Sequence, residues 1–269
     1  MPHTSPKRLL VALTFGGLVF SSAPAVADPS NEYINPDRPG IADGSTTVGL
    51  GHFQIETAFQ REFRKGGNDR TTFIPTLLRY GFSKNWEVRV EGNTYTWNKH
   101  VDPEQVTTRS HGMAPTSIGL KYNFLDAVGT EQPSVGAIVR VFPRSGSGDF
   151  RSTRTTGDFR LAADWNFAEK WSLNPNVGVG IYEDGSARKY TAGLAAMTLN
   201  YNASKIVNFF LDTGIQTPEE KAGKTSIIVD AGGAYIIGHD IQLDLSAGTA
   251  IAGVTGPHPF VAAGFSKRF

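Results

Sequence analysis

The chain has 269 residues, of which 39% are hydrophobic and 19% charged, and its formal net charge is +1. It has 30 glycines, 17 phenylalanines and no cysteine, which excludes thiol catalysis, thiolate metal sites and a lipoprotein anchor. The nearly neutral charge argues against a nucleic-acid partner, which would need a basic surface. After the N-terminus, no run of about 20 apolar residues predicts a transmembrane helix.

Residues 1–27 have the pattern of a secretory signal peptide. Lys7 and Arg8 precede a short apolar run, and Ala25 and Ala27 give the small-x-small pattern before a cut at Asp28. The sequence therefore predicts export. Residues 28–46 are rich in proline and turn-forming residues, and we interpret them as an N-terminal periplasmic segment of tail or plug character.

From residue 47 to residue 269 the pattern changes to strict alternation of apolar and polar residues. In one example, Trp86, Val88 and Val90 share one face of a strand, whereas Glu87 and Arg89 share the other. The alternation predicts twelve strands of the length that a tilted strand needs to cross a bilayer. Their predicted ranges are 47–61, 70–82, 85–97, 113–125, 133–143, 156–168, 170–183, 188–201, 205–217, 224–237, 240–252 and 257–269.

The connections between these strands alternate between tight turns and longer loops, which include residues 62–69, 98–112 and 144–155. This asymmetry is typical of a bacterial outer-membrane barrel with both termini in the periplasm. We therefore predict an all-β fold, a transmembrane antiparallel up-and-down β-barrel at residues 47–269. A soluble sandwich or a lipocalin-like barrel would also show alternation, but the even strand number and the alternating loop lengths favour the membrane barrel.

Aromatic residues lie beside the tight turns, for example Phe82, Trp86 and Trp171, and predict a girdle of rings at the periplasmic interface. For the opposite interface the candidates are Phe59, Phe63 and Phe73.

Charged residues on the polar faces of the strands are predicted to line the lumen. They are Glu56, Arg79, Glu87, Arg89, Glu91, Lys121, Arg140, Asp158, Arg160, Asp164, Asp212, Asp230 and Asp244. The basic residues lie on the second to sixth strands, and the last three acids lie on the ninth to eleventh. Two interpretations stay open: a transverse field across an open pore, or a network of ion pairs that fills a narrow lumen.

The C-terminal sequence PFVAAGFSKRF places Phe265 and Phe269 on one alternating face. The pattern resembles the C-terminal signal that the barrel-assembly machinery reads, so Phe265 and Phe269 are the predicted assembly signal. Lys267 departs from the apolar face, and near the rim it can reach the lipid headgroups.

No catalytic constellation is predicted, and no cofactor or metal is expected. The histidines are scattered, and the spacing of His100 and His111 matches no metal-binding motif. An outer-membrane lipid hydrolase would require a serine and a histidine within hydrogen-bond reach on the outer face.

Several motifs resemble a family of outer-membrane barrel proteins labelled for the MetA pathway of phenol degradation. They are Asp37-Arg38-Pro39, the strand from Gly51 to Glu56, Leu78 to Gly81, and Trp86 to Arg89. The resemblance extends over essentially the whole chain after the signal peptide. It implies a transporter in the outer membrane for small organic solutes, aromatic ones included, and it implies no enzymatic activity.

The alternatives are a non-conducting structural or adhesive barrel and, with less support, the lipid hydrolase. The expected partners are outer-membrane lipids, the barrel-assembly machinery and the solutes. From their position before the first strand, we expect Asp37 and Arg38 to fold into the periplasmic mouth and to pair with charges of the lumen.

Overall fold

The computed structural model describes residues 33–64, 69–102, 104–253 and 258–269. They form one antiparallel sheet that closes on itself, because β1 pairs with both β2 and β13 and β2 pairs with β3. The strands are β1 (Phe53–Arg64), β2 (Asp69–Gly81), β3 (Trp86–Val101), β4 (Thr107–Gly112), β5 (Thr116–Leu125), β6 (Ser134–Phe142), β7 (Thr156–Ala168), β8 (Trp171–Glu183), β9 (Lys189–Asn202), β10 (Val207–Thr217), β11 (Ser226–Ile237), β12 (Ile241–Ala252) and β13 (His258–Arg268).

β4 and β5 together occupy one strand position of the barrel wall, and we call such a position a stave. β5 pairs with β3 from Trp86 to Gly92, and β4 pairs with the rest of β3 from Thr96 to Val101. The thirteen strands therefore build a barrel of twelve staves, which confirms the predicted fold class.

Two predicted boundaries are wrong. The first strand begins at Phe53 and not at residue 47, because the backbone before it is engaged in contacts inside the barrel. The loop predicted at residues 98–112 contains the end of β3 and all of β4. β4 has the sequence TTRSHG, which lacks the apolar alternation on which the prediction depended. Residues 1–32, which include the predicted signal peptide, lie outside the described residues.

Burial in this barrel is inverted relative to a soluble protein. Outward side chains such as Phe59, Leu211 and Leu245 are apolar and more than half exposed, whereas inward Glu56, Arg89 and Lys121 are fully buried. A lipid environment satisfies the outer face, and the inner face must satisfy its polar groups within the protein. In the described part of the chain, no helix is long and apolar enough to cross a membrane.

Aromatic rings contact one another in pairs and in one short chain at the end of the barrel that carries the tight turns, which we call the turn end. Trp86 stacks on Tyr122 with ring centroids 4.4 Å apart, and Trp171 packs on Tyr201 at 4.9 Å. At the opposite end, the loop end, one expectation is wrong: Phe73 is an inward residue with no exposed surface. The outward rings at this level of β3 are Tyr95 and Trp97, with centroids 4.6 Å apart.

The barrel closes between the first and the last strand. Phe269 N–H donates to the Phe53 carbonyl at 2.7 Å, Phe53 N–H donates to the Phe269 carbonyl at 3.2 Å, and the two rings lie 6.0 Å apart. Lys267 Nζ lies 4.6 Å from the centre of the Phe269 ring, so the charge that interrupts the apolar face has an aromatic neighbour.

Candidate functional site in the barrel lumen

The lumen contains the chain that precedes β1, and we call residues 33–48 the luminal segment. It begins at the turn end, where Ile34 N–H donates to the His239 carbonyl at 2.6 Å and the Tyr33 ring meets the His239 ring edge-on. It leaves at the same end, where the Thr47 hydroxyl donates to the Lys84 carbonyl at 2.8 Å. Between these points Asp37, Arg38, Pro39 and most of their neighbours are buried. The segment is therefore a loop that enters and leaves by one mouth.

Asp37 is the centre of the contacts with the basic side of the wall. Its carboxylate accepts from Arg89 Nη1 at 2.7 Å and from Lys121 Nζ at 2.9 Å, and it lies 3.4 Å from Arg79 Nη1. Burial by itself raises the pKa of Asp37, but the charges of Arg79, Lys121 and Arg89 outweigh burial and hold this pKa well below its usual range. Asp37 is thus a shared anionic partner of three cations of the wall.

The wall acids Glu56 and Glu87 hold Arg79 in place. Arg79 Nη1 lies 3.0 Å from Glu56 Oε1, and Arg79 Nε lies 2.9 Å from Glu87 Oε1. Both acids also accept from the backbone of the luminal segment, Glu56 from Arg38 N–H and Glu87 from Val48 N–H. Arg79 in turn donates to the Thr46 carbonyl at 3.1 Å. Wall and segment therefore share one hydrogen-bonded network.

Asp43 extends this network to β7 and β8. Its carboxylate accepts from Arg89 Nη2 at 2.9 Å and from Arg160 Nη1 at 3.0 Å. Its backbone N–H donates to Asn176 Oδ1 at 2.7 Å, while Asn174 and Asn176 donate to its carbonyl. The side-chain amides of Asn174 and Asn176 on β8 thus form the hydrogen bonds that the backbone of Asp43 needs, because Asp43 lies in no helix or strand.

Ser45 lies against β5, β6 and β7. Its N–H donates to Asp164 at 2.7 Å, its hydroxyl donates to the same carboxylate at 2.5 Å and lies 2.8 Å from Ser134 Oγ, and its carbonyl accepts from Asn123. The approach to β6 requires a glycine, because a Cβ at Gly136 would lie 2.5 Å from the Ser45 carbonyl oxygen.

A second group of charges lies beyond the luminal segment. Arg140 forms a two-pronged contact with Asp158, at 2.8 and 2.6 Å, and also binds Glu91. The Tyr182 hydroxyl donates to Asp158 at 2.8 Å, and Arg160 lies 3.5 Å from the same carboxylate. These contacts are made between side chains of the wall, and the side chains are buried.

The β10–β12 side of the lumen has fewer contacts with the segment. Arg38 Nη2 donates to Asp244 Oδ1 at 3.0 Å, and Ile41 N–H donates to Asp212. Ile41 packs at Gly214, where a Cβ would lie 2.7 Å from Ile41 Cγ2. Both carboxylate oxygens of Asp230 are buried with no hydrogen-bond partner among the described residues. The luminal segment is thus held by many ion pairs on one side and by few on the other.

The structure places all thirteen charged residues of the predicted lumen set inside the barrel, and most of them touch one another or the luminal segment. Asp230 takes no part in these ion pairs. Sequence reasoning did not single out Asp43, Ser45, Asn174 or Asn176. The available signal was the turn-forming Asp43-Gly44 pair beside Asp37-Arg38, which adds a second acid to a segment that precedes a wall rich in arginine.

Four of the histidines have described contacts. His52 contacts the Phe269 carbonyl, His100 contacts Asp69, His111 stacks on Tyr95, and His239 meets Tyr33. None of these four contacts involves a serine hydroxyl. Within the part of the chain that the structure describes, no group of three or more acidic or histidine side chains could hold a metal ion.

A closed barrel with an apolar exterior, a charged interior and a chain segment inside it defines an outer-membrane-type β-barrel. The family comparison agrees with this class: residues 36–269 match the family described as "Putative MetA-pathway of phenol degradation". The chain belongs to that family. A comparison with curated protein sequences finds no match.

Solved structures with a similar fold include outer-membrane channels and the β-domain of a Bordetella autotransporter, BrkA, which has a TM-score of 0.52 at 15% identity and covers 82% of this chain and 100% of its own. An outer membrane channel from Pseudomonas putida F1 has a TM-score of 0.65 at 11% identity and covers 84% of this chain and 98% of its own. The KdgM porin in complex with disordered oligogalacturonate has a TM-score of 0.55 at 11% identity, covering 80% and 99%. The NanC porin has a TM-score of 0.52 at 11% identity, covering 78% and 98%. At these identities the similarity establishes the fold.

Proposed function

We propose that the protein is an outer-membrane channel for the passive passage of small organic solutes, aromatic ones included, and that the luminal segment is its gate. The protein is exported by the signal peptide of residues 1–27 and inserted by the barrel-assembly machinery, which reads Phe265 and Phe269. Lipids of the outer membrane surround it. Family membership and the fold of the similar channels support this proposal.

The observation that carries the proposal is the way in which the lumen is filled. In a small barrel without a channel, side chains of the wall fill the interior. Here the wall leaves room at glycines such as Gly136 and Gly214, and a separate piece of chain occupies that room. Because this piece enters and leaves by the same mouth, it can withdraw without being threaded through the barrel.

The contacts of the luminal segment suit a closure that can open. They are mostly polar, and the ion pairs of Asp37 and Asp43 are buried only while the segment is docked. Buried ion pairs contribute little net free energy, because the loss of hydration offsets their attraction. When the segment withdraws and water enters the lumen, the acid and the base of each ion pair regain hydration. The docked and withdrawn states therefore differ less in free energy than the number of ion pairs suggests.

A second function is favoured by one observation. The network of Arg140, Glu91, Asp158 and Tyr182 belongs to the wall alone and is buried above the segment. If this network does not rearrange, the barrel is a non-conducting structural or adhesive protein.

Conductance in planar bilayers distinguishes the two functions. We expect small, brief openings from the full mature chain and large, steady conductance from a variant that lacks residues 35–46. Liposomes with the deletion variant should swell in a solution of a small aromatic acid. Both proteins should show heat-modifiable migration, which establishes that the barrel is folded. A folded deletion variant without conductance would exclude the channel and support the structural barrel.

A further inference from the structure

Three cations lie side by side on the outer face of the barrel at its loop end. The register pairs Arg70 of β2 with Lys99 of β3, and Lys99 with Arg109 of β4. Arg70 alternates with buried Asp69 and Thr71, which face the lumen, so Arg70 and its partners face outward. We call Arg70, Lys99 and Arg109 the basic row.

No carboxylate of the described residues is paired with the basic row. None of the ion pairs of the described residues includes any of its three members. The other described outward positions of β1 to β4 carry aromatic, aliphatic, hydroxyl or basic side chains and no carboxylate. Like charges directly opposite each other in a sheet destabilise it, so three in succession require either full hydration or an external anion.

The position of the row along the barrel wall favours an anion of the lipid. Trp97 lies on β3 eleven residues after Trp86 of the turn-end girdle. At a rise of about 3.3 Å per residue and a tilt of about 40°, the two rings are separated by about 28 Å along the membrane normal, close to the height of the apolar band. Trp97 therefore marks the loop-end interface, and Lys99 lies one outward position above it, at the level of headgroups.

The rings beneath the row form a surface for acyl chains and sugar. Tyr95 contacts Trp97, and His111 stacks on Tyr95 with ring centroids 6.1 Å apart. Trp97 is exposed. Arg61 on β1 is held beside this surface, with its Nε donating to Thr72 Oγ1 at 3.1 Å. A cationic row above an aromatic surface matches a ligand that has phosphate above and hydrocarbon below.

We propose that the basic row binds the phosphate groups of a phosphorylated glycolipid in the outer leaflet, with the acyl chains of that lipid against Trp97 and Tyr95. Arginine guanidinium groups bind phosphate oxygens in pairs, and lysine adds a point charge between them. This site lies on the outside of the wall, and its existence depends on the membrane placement of the fold and not on passage of solutes through the lumen.

Binding of lipid A to the purified barrel tests the proposal. The variant carries Arg70→Gln, Lys99→Gln and Arg109→Gln. The matched control carries Lys170→Gln, Lys205→Gln and Lys221→Gln, three exposed cations outside the row. Native mass spectrometry in mild detergent measures the bound lipid. The probes are diphosphorylated lipid A, its dephosphorylated form and inorganic phosphate.

We expect the wild-type and control proteins to retain diphosphorylated lipid A, and the row variant to bind it at least tenfold more weakly. Dephosphorylated lipid A should bind weakly to all three proteins, and inorganic phosphate alone should not compete at millimolar concentration. Heat-modifiable migration of the row variant should be unchanged. Equal retention by the row variant and the control, or equal binding of dephosphorylated lipid A to the wild-type protein, would overturn the proposal. The conductance of the row variant reports separately on the channel.

Discussion

Asp37 of the luminal segment and Arg89 of β3 form an ion pair of 2.7 Å in the middle of the lumen, and neither side chain has more than 2% of its surface exposed. The same carboxylate also binds Lys121. A residue from the chain before the first strand thus forms ion pairs with cations that the wall contributes from two different strands.

Removal of the Asp37 carboxylate should release the luminal segment. In an Asp37→Ala variant, Arg79, Arg89 and Lys121 lose their shared anion, and a broken buried pair costs about 3–5 kcal/mol. We expect steady conductance in planar bilayers and a lower free energy of unfolding in urea. The control is Asp126→Ala, because the ion pair of Asp126 with Lys84 is largely exposed and is worth about 0–1 kcal/mol. Conductance equal to that of the control would argue against a gate held by Asp37.

A methyl group at position 136 should push the luminal segment away from the wall. The Cβ of a Gly136→Ala variant would lie 2.5 Å from the Ser45 carbonyl oxygen, whereas the Cβ of the control Gly193→Ala meets nothing closer than 3.7 Å. The native chain has no cysteine, so a Ser45→Cys thiol is a unique probe. We expect its maleimide labelling to be about tenfold faster with Gly136→Ala, which corresponds to about 1.4 kcal/mol of docking free energy. Equal labelling in both backgrounds would contradict the packing of Ser45 on β6.

A disulfide between the segment and the wall should lock the barrel shut. Ser45 Oγ lies 2.8 Å from Ser134 Oγ, and a disulfide brings two sulfur atoms to about 2.05 Å, so a Ser45→Cys/Ser134→Cys variant is suited to form one. We expect its openings to disappear under oxidising conditions and to return after reduction. The Ser45→Cys single variant controls for the loss of the hydroxyl. Openings that persist in the fully oxidised double variant would show that solutes do not depend on movement of this segment.

Deletion of Phe269 should impair closure of the barrel. The residue exchanges two backbone hydrogen bonds with Phe53 and packs against its ring. Without it the last strand loses its terminal contact with the first, and an unpaired strand edge in lipid is costly. We expect less heat-modifiable barrel in the membrane fraction, with Phe269→Tyr as the control that keeps both the backbone and a ring. Normal assembly after the deletion would remove Phe269 from the assembly signal.

The strands could be predicted because each residue must suit its own surroundings, which are lipid on the outer face and polar groups on the inner face. Val88 and Val90 must face hydrocarbon, and Glu87 and Arg89 must face polar partners. Apolar and polar residues therefore alternate along the sequence with a period of two residues. The same reasoning failed where the local pattern is weak. β4 lacks apolar residues in the required period, and Phe73 was assigned to the outer girdle although its phase in β2 turns it inward.

The amino-acid sequence by itself determined the all-β class, the number of staves and the inward set of charges, since each of these follows from alternation within a single strand. Only the tertiary structure decided the partners of those charges. Arg38 and Asp244 are 206 residues apart, and Asp37, Lys121 and Arg89 meet because the closed wall brings distant strands around one loop. Alternation fixes the side of a strand on which a residue lies, but closure of the barrel and the entry of the luminal segment fix the residue that it faces.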